Sequence, residues 1–233
     1  MSRKVRAFSP IQRFYHRHLI YLMFFFILTG LPILSDSFHW IAYVFSFPFN
    51  FLAENNGELL STGLQVCRSI HRIAAVLLIL ITIPFALAML VKLRHWQMWP
   101  ERWGIGATLD GLKELKKNYL DYGHARFGKY NIGQKAAFWA FLFGIIAITL
   151  SGFILWFRAL FSQGLVDAMR ITHDIAFVVV VLTLVMHIYF AIFPRNRYGL
   201  DAMFGNGLMD EHTVREHHEL WYEKIKGDRQ TFE

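Results

Sequence analysis

The stretch HDIAFVVVVLTLVMH, from His173 to His187, is an almost wholly apolar run with a histidine at each end. It lies inside a longer apolar segment, from about 166 to 193, that has no Lys or Arg in its central part. A transmembrane helix needs about 20 mostly apolar residues, so this segment is long enough to cross a bilayer. Ionisable residues within such spans are rare and are functional candidates by default.

Three more segments have the same character, at about 16–34, 70–91 and 134–157. In the whole chain 55% of the residues are hydrophobic and only 18% are charged, against about 25% charged in an average soluble domain. We therefore predict an all-α, integral-membrane four-helix bundle that forms a single membrane domain over residues 1–233. A shorter aromatic stretch, Phe38 to Ala53, is predicted to be an interfacial or re-entrant segment. Leucines between Leu109 and Leu120 predict an amphipathic helix on the membrane surface.

Basic residues are distributed unevenly between these segments. Five Lys and Arg residues precede the centre of the first span, nine lie in residues 92–135 and six follow the fourth span, whereas residues 35–67 contain none. Cytoplasmic loops are enriched in Lys and Arg, so both termini and the 92–135 loop are predicted to be cytoplasmic. The net charge of +7 is thus a topology signal, and no basic patch interleaved with aromatic residues points to nucleic acid.

The histidines of the spans fall into two layers. His173 and His187 are 14 residues apart, which is about 3.9 helical turns and about 21 Å, so they face nearly the same way at opposite sides of the membrane. With the predicted topology, depth pairs His71 with His173 near the outer face and His16 with His187 near the cytoplasmic face. His18 is a rival for His16, and His39 lies in the outer aromatic stretch. The remaining histidines are predicted to be solvated: His95, His124, His212, His217 and His218.

Two imidazoles in each layer suit haem better than zinc, because zinc usually takes four protein ligands. Bis-histidine ligation leaves no open position on the iron, so such haems would carry electrons. The single cysteine, Cys67, excludes covalent haem attachment through a Cys-x-x-Cys-His motif and is predicted to be a packed helix-end residue. Five arginines near the ligands could bind haem propionates or simply extend towards the membrane surface: Arg13, Arg17, Arg68, Arg72 and Arg170.

Several short motifs occur along the chain: Arg13-Phe-Tyr-His16, Arg68-Ser-Ile-His71, Lys129-Tyr-Asn-Ile-Gly-Gln-Lys135 with Phe138-Trp139, His173 with His187-Ile-Tyr, and Arg215-Glu-His-His-Glu-Leu-Trp-Tyr222. Together they resemble one known family, the cytochrome b (gamma) subunit of membrane-bound formate dehydrogenase, which is related to the thiosulfate reductase and hydrogenase cytochrome b subunits. The resemblance covers nearly the whole chain. The aromatic outer loop, Ser35–Cys67, departs from the family's pattern.

The resemblance implies two haem b groups with the pairing given above, and it favours His16 over His18. It also implies a quinone pocket (menaquinone or ubiquinone) formed by Asn131, Gly133, Gln134 and His187. Asn131 could equally be the N-cap of the third span. The implied partners are an iron–sulfur subunit and a catalytic subunit on the outer face of a bacterial or archaeal inner membrane.

The expected function is electron transfer from the iron–sulfur partner through two b haems to quinone, as the quinone-reacting subunit of a respiratory oxidoreductase. The chain has no Cys cluster and no nucleotide-binding glycine loop, so it is not expected to act on the primary substrate by itself. Three alternatives remain at this point. The same fold could serve a hydrogenase or thiosulfate reductase complex, the histidines could line a metal-ion transporter, or the chain could be a passive anchor.

Overall fold

The computed structural model describes residues 3–52, 56–91, 97–100 and 102–227. The chain divides into two compact units. The N-terminal unit is Ile11–Val91, and the C-terminal unit combines Met1–Pro10 with Lys92–Glu233. The prediction of one membrane domain over residues 1–233 stays a prediction.

The elements follow the chain in this order. Strand β1 is Lys4–Arg6, and the helices are α1 (Pro10–Leu34), α2 (His39–Ser46), α3 (Asn56–Leu90), α4 (Ile105–Tyr119), α5 (Ile132–Trp156), α6 (Gln163–Ile192), α7 (Arg197–Phe204), α8 (Glu211–His217) and α9 (Glu219–Ile225), with strand β2 (Leu208–Asp210) between α7 and α8. Short 3₁₀ turns cover Asp36–Phe38, Phe47–Leu52, Arg158–Leu160 and Pro194–Asn196.

Among the described residues, four helices are long and apolar enough to cross a membrane: Pro10–Leu34, Glu58–Leu90, Ile132–Trp156 and Gln163–Ile192. The predicted all-α membrane fold with four spans is therefore confirmed. Many large apolar side chains on these helices are exposed, including Phe24, Leu80, Phe143 and Leu182, as expected of surfaces that face lipid. The cytoplasmic placement of both termini stays a prediction.

Helix α3 is longer than its apolar part. It has 35 residues, about 52 Å, which exceeds a hydrocarbon core of about 30 Å. It begins at Asn56, 14 residues before the predicted start at residue 70, because the polar first turns are helical although they are not apolar. Pro84 lies inside the helix, which continues to Leu90.

Within the N-terminal unit, α2 packs on the first half of α3. A Cβ added at Gly63 would lie 2.0 Å from the backbone oxygen of Ala42, so only glycine permits this approach. Ile41, Ala42 and Ser46 are buried. The aromatic stretch is thus a short helix between two 3₁₀ turns, and the prediction that it is not a span is confirmed. Its position at the membrane surface stays a prediction.

Helices α1 and α3 also contact each other in this unit. The Tyr15 hydroxyl lies 3.1 Å from Thr82 Oγ1, and the Tyr15 ring stacks on Phe85 with 4.0 Å between centroids. In the C-terminal unit, the backbones of α5 and α6 approach each other more closely than those of α1 and α3 do, and a Cβ added at Gly144 would lie 2.5 Å from Val180 Cγ2. Small residues at such contacts are typical of membrane helix pairs.

The amphipathic helix predicted at 109–120 is present as α4. Its side chains Leu109 and Leu112 are exposed, as is Leu120 at its C-cap, which suits a helix lying on a membrane surface. Arg195, just after α6, holds the end of α4 by donating hydrogen bonds to Asn118 Oδ1 at 3.0 Å and to the backbone oxygen of Tyr122 at 2.6 Å.

A small subdomain beside the spans was not predicted from the sequence. Strand β1 pairs antiparallel with β2, with Val5 opposite Met209. The two strands cover an apolar core formed by Val5, Ala7, Ala202, Met209, Val214 and Trp221. The basic N-terminal residues are therefore half of a β-ladder, and the pairing joins residues about two hundred positions apart, which no local pattern reveals.

Candidate functional site

His71, on α3, is held by a hydroxyl on α1. The Thr29 hydroxyl donates its one proton to the backbone oxygen of Phe25 at 2.6 Å, and it lies 3.0 Å from His71 Nδ1. Because the hydroxyl proton is already used, Nδ1 must be the donor in the second bond. The neutral imidazole therefore carries its proton on Nδ1 and its lone pair on Nε2.

His173, on α6, is held in the same way by a hydroxyl on α5. The Ser151 hydroxyl donates to the backbone oxygen of Ala147 at 2.6 Å and lies 3.0 Å from His173 Nδ1. Both Thr29 and Ser151 are fully buried. The second histidine therefore has the same tautomer as the first, with the lone pair on Nε2.

The two arrangements share further features. Thr29 and Ser151 are each five residues before the end of their helix, at Leu34 and Trp156. Each is followed by a glycine that lies against the imidazole: a Cβ added at Gly30 would lie 3.5 Å from His71 Cε1, and one at Gly152 would lie 3.2 Å from His173 Cε1. Sequence reasoning missed these hydroxyls, for which the available signal was the dipeptides Thr29-Gly30 and Ser151-Gly152.

These residues fit haem ligation. Metal-binding histidines normally donate the second ring N–H to an oxygen acceptor, which fixes the tautomer and the ring orientation. His71 and His173 both do so. No group of three or more His, Cys, Asp or Glu side chains that could hold a metal ion occurs in the described part of the chain.

The other two predicted ligands are His16, near the N-terminal end of α1, and His187, near the C-terminal end of α6. His187 is on α6, which is one continuous helix from before His173 to beyond His187, and its ring is edge-on to Phe141 at 5.8 Å. His16 is half-buried on α1. His18 Nδ1 donates to the backbone oxygen of Phe14 in its own helix at 2.8 Å, because a carbonyl oxygen can only accept. The choice of His16 over His18 stays a prediction.

Of the five arginines that could bind haem propionates, Arg13 has surroundings that suit an anionic group. Its Nε is buried and has no hydrogen-bond partner among the described residues. A buried donor without an acceptor is costly, and a haem propionate close to His16 would supply the acceptor.

A small polar cleft lies in the C-terminal unit. It contains two of the predicted quinone-pocket residues, Asn131 and Gln134, whereas Gly133 and His187 are not among the described residues that line it. The full lining is Asn118, Phe127, Asn131, Gln134, Arg195, Asn196, Tyr198, His217 and His218.

Asn131 is the N-cap of α5, as the alternative interpretation held. Its Oδ1 accepts from Gln134 N at 2.9 Å, and Gln134 Oε1 accepts from Asn131 N at 2.9 Å, which is a reciprocal capping box. Both side-chain oxygens are therefore occupied. The Asn131 amide nitrogen donates one of its two protons to the Tyr119 hydroxyl at 3.4 Å. Its second proton and the amide of Gln134 are the donors that a quinone carbonyl would use, so capping and quinone binding would involve different atoms of the same two residues.

The prediction that His218 is solvated is wrong. His218 is buried, its Nδ1 donates to the backbone oxygen of Gly128 at 2.9 Å, and its Nε2 accepts from the Tyr198 hydroxyl at 3.0 Å. Burial lowers the pKa of His218 to about 4 and raises the pKa of Tyr198. The reason for the error is tertiary: the apolar core around Trp221 covers a histidine whose sequence neighbours are polar.

The other histidines that were predicted to be solvated differ in how exposed they are. His217 is half-buried and stacks on Tyr198 at 5.0 Å, and burial is the main cause that lowers the pKa of His217. His124 and His212 are exposed, as predicted. His95 lies outside the described residues.

The lysines of the Lys129–Lys135 motif bind the backbone. Lys129 Nζ donates to Ala7 O at 2.6 Å and lies 5.1 Å from the centre of the Trp221 ring, and burial lowers the pKa of Lys129 to about 8. Lys135 Nζ donates to Trp99 O at 3.0 Å. This motif therefore also attaches neighbouring segments to the start of α5.

A sequence profile of the prokaryotic cytochrome b561 family matches residues 7–206 of the chain. The chain belongs to this family. It is therefore a multi-pass membrane cytochrome b with an electron-transfer role, and haem b is the cofactor that the family implies. The proposed resemblance to cytochrome b subunits is confirmed.

Three curated relatives of this cytochrome are named as cytochrome b556 subunits of formate dehydrogenase. The cytochrome b556(fdo) subunit of formate dehydrogenase from Escherichia coli K12 is 23% identical over 201 residues, which cover 85% of this chain and 82% of the relative. The nitrate-inducible formate dehydrogenase cytochrome b556(Fdn) subunit of the same strain is 24% identical over 219 residues, covering 93% and 89%. The formate dehydrogenase cytochrome b556 subunit of Haemophilus influenzae is 25% identical over 224 residues, covering 95% and 83%.

Proposed function

We propose that this cytochrome is the di-haem, quinone-reacting membrane subunit of a respiratory oxidoreductase of the formate dehydrogenase type. The observation that carries the proposal is that two half-buried histidines, His71 and His173, are each held by a buried hydroxyl in the tautomer that leaves Nε2 free to ligate iron. Family membership and the names of the relatives agree with this function.

Two haem b groups would supply one-electron carriers within the membrane. His71 and His173 are the proposed ligands of the outer haem, and His16 and His187 those of the inner haem. The pairing rests on depth along the predicted spans. Arg13, with its buried Nε, is the proposed partner of a propionate near His16.

The proposed quinone site is at the start of α5. The amide nitrogens of Asn131 and Gln134 would donate to a quinone carbonyl, and the capping box holds both side chains in place. Gly133 and His187 complete the proposed pocket. Tyr198 and His217 line the same cleft and give it groups that hydrogen-bond and exchange protons.

Charge distribution supports the proposed direction of transfer. Residues 35–67 contain no Lys or Arg, whereas the loop that leads to the proposed quinone site is strongly basic, so the quinone site would be cytoplasmic and the electron donor external. We propose an iron–sulfur subunit and a catalytic subunit as partners on the outer face of the inner membrane. Electron flow inwards with proton uptake from the cytoplasm would then build membrane potential.

The alternatives have less support. The names of the relatives favour a formate dehydrogenase partner over a hydrogenase or thiosulfate reductase, although the chain itself would suit each of them. A metal transporter with histidine ligands alone would need more than two such side chains at each site. A passive anchor would have no use for a hydroxyl that fixes the histidine tautomer.

The test is a reduced-minus-oxidised spectrum of the purified cytochrome, compared with His71→Ala and His187→Ala. We expect two b-type haems in the wild type and the loss of one, a different one, in each variant. His212→Ala, at an exposed position, is the control and should keep both. A wild type without b-type absorption would contradict the proposal, and variants that retain both haems would contradict the ligand assignment.

A further inference from the structure

The hydroxyls of Thr29 and Ser151 each accept a hydrogen bond from the Nδ1–H of a proposed haem ligand. We propose that both are positioning residues, which hold His71 and His173 in the tautomer that presents Nε2 to iron and which lower the reduction potential of the haem that these histidines bind. The inference rests on the proposed function and assigns roles to two residues outside the ligand set.

The direction of the hydrogen bonds carries the first step. Each hydroxyl has one proton and gives it to the backbone oxygen four residues earlier, at 2.6 Å in both cases. Only its lone pairs can then face the imidazole, 3.0 Å away. Nδ1 of His71 and of His173 must be protonated, so the alternative tautomer, with the lone pair on Nδ1, would place two acceptors against each other.

Burial carries the second step. Thr29 and Ser151 are both 0% exposed, and each sits within a helix that can cross a membrane. Water does not replace a lost acceptor in such surroundings, so the cost of an unmade bond falls on the histidine N–H. For His173 this cost is smaller, because its ring also has a hydrogen bond to the backbone of Ile148. Removing the hydroxyl therefore loosens the ring and weakens the preference for one tautomer.

Ligand chemistry carries the third step. When the N–H of a ligating imidazole donates a hydrogen bond to an oxygen, the other ring nitrogen, which binds the metal, becomes more basic. A more basic ligand stabilises ferric iron relative to ferrous iron, and second-shell hydrogen bonding is one of the ways in which proteins adjust haem potentials. Loss of either hydroxyl should therefore raise the midpoint potential of the affected haem.

The experiment uses the full-length purified cytochrome. Thr29→Val and Ser151→Ala remove the hydroxyl that accepts the hydrogen bond, with little change of side-chain shape. Thr29→Ser keeps this hydroxyl and removes only the methyl group. The readouts are haem content, a redox titration of the haem absorbance, and the g values of the low-spin ferric haems. We expect unchanged haem content, an upward shift of one midpoint potential in each variant, altered g values for the same haem, and wild-type behaviour in Thr29→Ser.

Ser69→Ala is the matched control. Ser69 is exposed, lies two residues from His71 and donates to the backbone oxygen of Gln65 at 2.9 Å, so it makes the same bond to its own helix at an exposed position. It should leave both potentials unchanged. If Thr29→Val fails to retain its haem, Ser151→Ala alone decides, because it removes a single oxygen from the other unit.

The outcomes separate the inference from the function on which it rests. Haem-loaded variants with unshifted potentials and unshifted g values would overturn the inference and leave the proposed function intact, as would an equal shift in Ser69→Ala. Shifts of two different haems by Thr29→Val and Ser151→Ala would support the hydroxyl roles but contradict the pairing of His71 with His173. A wild type without haem would overturn the proposed function itself.

Discussion

At the scale of single residues, the hydrogen-bond partners of a buried histidine fix its protonation state. His218 shows this outside the spans. Its Nδ1 donates to Gly128 O and its Nε2 accepts from Tyr198, so the neutral ring satisfies both neighbours. Protonation would turn Nε2 into a second donor against a hydroxyl that already donates to it.

The first prediction concerns acid sensitivity. The pKa of His218 falls from its ordinary 6.5 to about 4 on folding, so between these values the unfolded chain binds more protons and stability is lost as the pH falls. Between pH 7 and pH 5 this amounts to about 2 kcal/mol. We expect His218→Gln to flatten the pH dependence of thermal unfolding over this range.

His212→Gln is the control for this prediction, because His212 has an 86% exposed side chain. Its unfolding should keep the wild-type dependence on pH. An equally steep acid dependence in His218→Gln would show that other groups cause the loss of stability.

The second prediction separates the two roles of Asn131. In Asn131→Asp the side-chain oxygen that caps α5 is kept, and the amide donor is lost. Asp and Asn are about equally good N-caps, so the melting temperature should change little. A lost hydrogen bond to a quinone carbonyl costs about 1–3 kcal/mol, so quinone turnover by the assembled complex should fall by about tenfold or more.

Gln134→Glu makes the same exchange at the other side of the capping box, since it keeps the oxygen that accepts from Asn131 N. We expect it to reduce quinone turnover in the same direction and to leave the haem spectrum intact. Full quinone turnover in both variants would remove the start of α5 from the quinone site.

At the scale of elements, glycine allows helices to touch through their backbones. The contact between α2 and α3 at Gly63 depends on the missing side chain, because any Cβ would overlap the Ala42 carbonyl. Helix α4 offers a contrast within the same chain. Gly106 lies inside α4, and nothing lies within 4 Å of a Cβ added there.

The third prediction follows from this contrast. Gly63→Ala should force α2 away from α3 and destabilise the N-terminal unit by about 1–3 kcal/mol, the usual cost of overpacking. Gly106→Ala should be neutral or stabilising by about 0.5–1 kcal/mol, because alanine is the better helix former. Thermal unfolding of the two variants in detergent measures the difference. Equal stability would mean that α2 does not pack on α3 as described.

At the scale of the whole molecule, the distribution of charge determines orientation. Lys and Arg are concentrated in the terminal segments and in the 92–135 loop, and they are absent from 35–67. This asymmetry is the basis on which we propose a cytoplasmic quinone site and an external electron donor, so the proposed direction of transfer depends on the same observation as the proposed topology.

The fourth prediction tests that orientation. Cys67 is buried and is the only cysteine of the chain, so Cys67→Ala provides a background for single-cysteine labelling. Asp36→Cys and Lys113→Cys use side chains that are 97% and 77% exposed. In spheroplasts an impermeant maleimide should label position 36 at once and position 113 only after lysis. The reverse pattern would contradict the cytoplasmic placement of the termini.

Much of the membrane architecture was predictable from the sequence alone. The four spans, their α-helical nature and the spacing of His173 and His187 depend only on local composition, on helix periodicity and on the thickness of a bilayer. The capping role of Asn131 was predictable for the same reason, since its partner Gln134 is three residues away. Span limits were less certain, as the early start of α3 shows, because polar residues can continue a helix beyond the membrane.

Only the tertiary structure decided which side chains meet. Thr29 lies 42 residues from His71 and Ser151 lies 22 residues from His173, and nothing in a local pattern says that these hydroxyls face an imidazole. The pairing of β1 with β2 and the burial of His218 are contacts of the same kind. A bilayer selects spans by their own hydrophobicity, segment by segment, whereas a hydrogen bond between helices exists only after the chain has brought distant residues together.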